Sequence, residues 1–95
     1  MNPALPNGLH YVYLLRSNKV NRIYIGCTHD LENRLKEHVE GRVYTTKKML
    51  PIELIYYEAY VSKDCAYQRE KNLKAHGSAL GKLKSRLKIK KGRAG

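Results

Sequence analysis

Tyr24-Ile25-Gly26, followed by Arg34 ten residues after the tyrosine and by His38 four residues later, is the stretch on which the fold turns. It reads as a strand that hands over to a helix spanning Asp30 to Glu40. Within that helix Leu31, Leu35 and Val39 recur at helical spacing and form an apolar stripe. Arg34 and His38 are four apart, so they share one face, one position to the side of the stripe. A phenol, a guanidinium and an imidazole are thereby expected close together, next to the core and still reachable.

Upstream, Leu9 to Arg16 is rich in Tyr, Val and Leu and reads as a first strand, with Asn21 to Cys27 as the second. The polar connection Ser17-Asn18-Lys19-Val20 has hairpin length, so the two strands are expected to pair antiparallel, residue 13 with residue 24 and Arg16 opposite Asn21. Tyr13 and Tyr24 would then face the same side. Downstream, Thr28 or Asp30 suits the helix N-cap, Asp30 and Glu32 suit its first turn, and Gly41 ends it. Arg42 to Leu50 reads as a basic loop. Pro51 opens a third strand, Ile52 to Tyr60, whose apolar residues on both faces predict cover on both sides. Ser62 caps a second helix running to about His76, and Gly77-Ser78 restarts the chain into a third, lined by Leu80, Leu83 and Leu87. The expectation is an α/β domain over 9–89, a compact three-stranded β-sheet flanked by helices in the order strand, strand, helix, strand, helix, helix. An irregular leader at 1–8 and a basic tail at 90–95 flank it.

Ninety-five residues suffice for one modest core. Nineteen Lys and Arg against eight Asp and Glu give a net charge of +11, a field that attracts polyanions. The charge is uneven: between Arg69 and Gly95 the acid is Glu70 alone. Eight tyrosines with no Phe or Trp supply aromatics that keep a polar handle. Two cysteines, Cys27 and Cys65, make no secreted disulfide framework, and neither a signal peptide nor a long apolar run is present, so a cytoplasmic protein with reduced thiols and no membrane partner is expected. Cys27, His29, Cys65 and His76 lack zinc-finger spacing. No phosphate-binding glycine loop, nucleophile elbow or internal repeat occurs. Glu70 falls at helical spacing with Ala66, Leu73 and Gly77, which turns a carboxylate toward the core, where it needs a cation. From the residues alone that cation is Arg34 or a nearby lysine.

The run Tyr11-Val12-Tyr13-Leu14-Leu15, Tyr24-Ile25-Gly26, Arg34, His38 and Glu70 resembles the GIY-YIG nuclease superfamily over roughly Leu9 to Leu87, in the manner of its small stand-alone members. Tyr11 stands where the first signature has glycine, a variation common in that branch. The resemblance implies metal-dependent hydrolysis of DNA phosphodiesters, with RNA left open, and Glu70 as the ligand of a magnesium or manganese ion. It implies Tyr24 as general base, Arg34 as the group that steadies charge at phosphorus, and Tyr13 as a residue that positions water or phosphate. His38 would relay a proton or bond a tyrosine, against the plainer reading of a surface histidine. Gly26 would let the backbone approach the substrate, and Lys47, Lys48, Lys82, Lys84 and Arg86 would flank the groove and hold backbone phosphates. Relatives of this kind act in homing, restriction, DNA repair and on branched DNA, usually with a second domain for specificity. None is seen here, so recognition by shape or through a protein partner is expected. The rival reading is a non-catalytic DNA- or RNA-binding module on the same fold.

Overall fold

The computed structural model describes residues 8–75 and 77–89, so the expected tail, the expected leader apart from Gly8, and His76 lie outside the described residues. Strand β1 (His10–Ser17) is central, with β2 (Ile23–Thr28) and β3 (Ile52–Tyr60) antiparallel on either side of it. Helices α1 (Leu31–Val39) and α2 (Tyr44–Lys47) follow β2, and α3 (Lys63–Lys74) and α4 (Ser78–Arg86) follow β3. The α/β architecture and element order are those expected, with α2 added inside the basic loop.

Val12 to Leu15 are all buried because β1 is covered on both faces. Val12 and Leu14 join Ile25, Ala66 and Leu73 of α3 and Leu83 of α4 in the apolar core. Tyr13 points the other way, toward His38 of α1. The expectation that β3 is covered on both sides is not met: β3 is an edge strand, and Leu54 and Tyr57 are exposed. Its apolar residues at both parities have another cause. A bulge between the pairs Leu14↔Tyr56 and Leu15↔Leu54 leaves Ile55 without a β1 partner, and Ile55 and Tyr56 both pack against the core.

The β1–β2 register also differs from expectation, by two residues, with Tyr13 opposite Gly26 and Arg16 opposite Ile23. Ser17 explains the shift. Its hydroxyl donates to the Met49 carbonyl and accepts from the amides of Lys19 and Val20, so it stays in the strand and anchors a longer turn. Side chains repeat every two residues, so Tyr13 and Tyr24 still share a face.

Asp30 caps α1 by accepting from the Asn33 amide, and Gly41, at φ 77°, closes it: the Gly41 amide bonds the His38 carbonyl and the Arg42 amide that of Glu37. The expected apolar stripe is rotated. Val39 is 61% exposed while His38 is fully buried, so α1 turns its Arg34–His38 side inward. Ser62 caps α3 through the Cys65 amide, and α3 ends at Lys74, short of His76. At the end of α4 the same closing motif recurs with Lys88 in the left-handed position, φ 59°. Among the described residues no helix is long and apolar enough to cross a membrane.

Candidate active site

Gly26 and Tyr13 are strand partners, and a Cβ on Gly26 would lie 2.4 Å from both the Cζ and the hydroxyl oxygen of Tyr13. The missing side chain at 26 is what lets the Tyr13 ring lie across β2. There the Tyr13 hydroxyl meets His38 Nε2 at 2.8 Å, and His38 Nδ1 meets the Thr46 hydroxyl at 2.7 Å. Tyr24 completes the cluster, its ring centroid 5.2 Å from that of His38 and 6.3 Å from that of Tyr13. His38 is thus no surface histidine. Tyr13, His38 and Thr46 are buried, whereas Tyr24 is half-buried and its hydroxyl lies outside their hydrogen-bonded chain.

Burial, with Tyr24 beside it, pushes the Tyr13 phenol up to about 12, although the Arg34 guanidinium pulls the other way. Tyr13 therefore stays protonated at neutral pH. Burial, reinforced by the Arg34 charge, lowers His38 to about 4, so its ring is neutral, with one nitrogen donating and the other accepting. A phenol that keeps its proton has a hydrogen to give, which fits one direction for the chain: Tyr13 donates to Nε2, and Nδ1–H donates to Thr46.

Arg34 bonds Glu37 at 2.8 Å, which keeps the guanidinium firmly charged. It also lines a cleft at the β2 edge with Cys27, His29, Lys63 and Tyr67, so the edge strand is where α1 and α3 come together. Glu70 on α3 has one-fifth of its side chain exposed and pairs with Lys74 at 3.0 Å. Its charge raises Cys27 and, as the smallest of several influences, Tyr13. Of the cations open to Glu70 from the sequence, the structure supplies a lysine; the Arg34 charge is taken by Glu37.

A divalent cation is compatible with Glu70, a carboxylate that keeps one-fifth of its side chain open to solvent. Among the described residues no three of His, Cys, Asp or Glu gather to hold a metal alone. Such an ion would rest on one protein carboxylate and fill its shell with water and phosphate oxygens, as magnesium does.

The basic residues do not form one group. Lys47 and Lys48 are exposed at the end of α2. Lys82 and Arg86 line one cleft with Arg69, and Lys84 lines another with Arg16 and Arg22. Two features have no signal in the sequence. Thr46 lies in a stretch that reads as loop, yet it fixes the His38 ring. Glu58 on β3 accepts from the Tyr56 and Tyr60 hydroxyls and from Arg69.

The GIY-YIG catalytic domain model matches residues 9–84. A UPF0213 protein of Natronomonas pharaonis is 41% identical over 68 residues, covering 70% of this chain and 78% of its own. Another, of Haloquadratum walsbyi, is 33% identical over 72 residues, 74% of this chain and 79% of that one. The solution NMR structure of a UPF0213 protein from Bacillus halodurans superposes with a TM-score of 0.52 at 29% identity, covering 90% of this chain and 88% of the other.

Proposed function

The chain belongs to the GIY-YIG catalytic domain family, and from that footing we propose that it is a metal-dependent endonuclease that hydrolyses phosphodiester bonds in DNA, directed by substrate shape or by a partner. The observation that carries the proposal is the packing of Tyr13, Tyr24 and His38 against one another, with the Tyr13 ring over Gly26 and Arg34 one turn from His38 on α1. A module that only binds nucleic acid has no need of a buried Tyr13–His38–Thr46 chain holding one phenol beside another. The unpaired thiols of Cys27 and Cys65 suit a reducing, cytoplasmic setting.

Water attacks phosphorus in line and the bond to the leaving sugar oxygen breaks, with no covalent enzyme intermediate. The leaving sugar oxygen takes a proton from solvent. Tyr24, as the phenolate that the Arg34 charge and a metal held at Glu70 would favour, accepts the proton from water. Tyr13 does not compete for it, because its own proton is held to about pH 12. Arg34 offers N–H donors to the phosphate oxygens where charge grows. His38, neutral and bonded through both nitrogens, fixes the Tyr13 ring and leaves the proton transfer to Tyr24. Glu70 would hold magnesium or manganese, which supplies Lewis-acid stabilisation to the phosphate.

Labelled duplex, flap, junction and single-stranded DNAs, and their RNA counterparts, incubated with and without magnesium, test the proposal. Tyr24→Phe should slow cleavage by roughly a hundred- to ten-thousand-fold, the usual worth of a positioned base, with the melting temperature almost unchanged. Glu70→Ala should abolish cleavage and leave binding nearly intact. Parental rates from a folded Tyr24→Phe protein across a pH series would rule out the base, and no cleavage of any substrate by the parent would leave the binding module.

A further inference from the structure

Beyond the phenol cluster, the turn end of the β1–β2 hairpin and the C-terminal end of α4 enclose a cleft of about 350 Å³, lined by Arg16, Asn21, Arg22, Lys84 and Lys88. Four cations face it. Arg16 is offset by Glu53 at 2.7 Å, and among the described residues Arg22, Lys84 and Lys88 make no salt bridge. The cleft is therefore a concentrated positive site with room for an anion.

Lys88 is set there by an unusual backbone. It occupies the left-handed position that closes α4, φ 59°, where glycine or asparagine sits without strain. A lysine kept in that conformation, with its side chain on the cleft, points from backbone strain to function. The cleft lies on the α4 face of the sheet: Arg16 and Ile23 are strand partners whose side chains share the face of Leu14 and Ile25, opposite to that of Tyr24.

We propose that this cleft is a second phosphate-binding site, which holds the nucleic-acid backbone on the α4 face of the sheet, away from the bond addressed by Tyr24. The proposal rests on the nuclease reading. The charges of α4 then have two separate roles. Lys84 and Lys88 grip the strand, while Lys82 and Arg86 open onto the other cleft beside Arg69, whose guanidinium is committed to Glu58.

The test is the salt dependence of binding to a fluorescein-labelled oligothymidylate and to a duplex of equal length. Arg22→Gln with Lys88→Asn should lower the slope of log affinity against log salt by about 1.4 on the single strand, at ~0.7 per phosphate contact. Lys36→Gln with Lys71→Gln, two exposed lysines outside the cleft, should leave it at the parental value. Lys88→Asn alone removes charge and strain together, so its weaker binding, seen with an undiminished melting temperature, supports the assignment. A parental slope in the Arg22→Gln, Lys88→Asn protein, or an equal loss in the other pair, overturns the cleft and leaves the nuclease reading standing. A parent that binds neither probe overturns both.

Discussion

Burial of His38 between Tyr13 and Thr46 couples the site to pH. Its folded value is about 4 and its unfolded value near 6.5, so between those limits the unfolded chain binds more protons than the native one. The stabilisation is complete above pH 6.5 and is lost as the pH falls toward 4, on the order of 3 kcal/mol in all. Urea titrations at pH 7.5 and 4.5 should show that loss in the parent and a much smaller one in His38→Gln; equal losses would mean that carboxylates, not His38, set the acid limb. The sequence places His38 on the right helix, but it leaves open whether the residue is surface or core. That depends on Thr46, eight residues away in a stretch with no helical signature, and on Tyr13 in another element.

At the scale of elements, two helices close with the same hydrogen-bond pattern and different residues. Gly41 takes the left-handed position of α1 without strain, and Lys88 takes that of α4 at a cost of roughly 1 kcal/mol. Lys88→Gly should therefore stabilise the protein by about that amount and raise the melting temperature by ~4–8 °C, the scaling for a domain of this size. A lower melting temperature would show that Lys88 contributes packing that outweighs its backbone. Capping residues make helix ends readable, which is why Asp30, Gly41 and Ser62 mark their termini in the sequence. Helix α2 has no such mark: its N-cap, Val43, makes no side-chain cap, and it spans only four residues. Its position depends on tertiary contact more than on propensity.

Across the whole molecule, the Glu58 cluster ties the β3 edge to α3. Burial by itself would raise the Glu58 carboxyl, but the Arg69 guanidinium and the Tyr56 and Tyr60 hydroxyls outweigh it and hold the group below its ordinary range. Only 14% of the Glu58 side chain is exposed, so removing its cation strands a charge. Arg69→Leu should cost about 3 kcal/mol, and adding Glu58→Gln should recover part of it in a double-mutant cycle read by chemical denaturation. No recovery would mean that Arg69 acts through packing of its stem. The same arrangement keeps Arg69 from nucleic acid, so the positive field of the chain is distributed unevenly over its surface.

The strand that carries Tyr24 and Gly26, the spacing of Arg34 and His38 on one helix, the caps and the order of elements were determined by the sequence itself. All are local: a period, a cap or a backbone breaker acts within a few residues. What the tertiary structure decided was which groups meet. A hairpin period of two is blind to a shift of two, so the Tyr13–Gly26 pairing had to await the Ser17 anchor. The bulge at Ile55, the lysine partner of Glu70 and the division of α4 between two clefts likewise depend on neighbours distant in the chain. A polar or charged side chain carries no sign of its partner until folding brings that partner within hydrogen-bond reach.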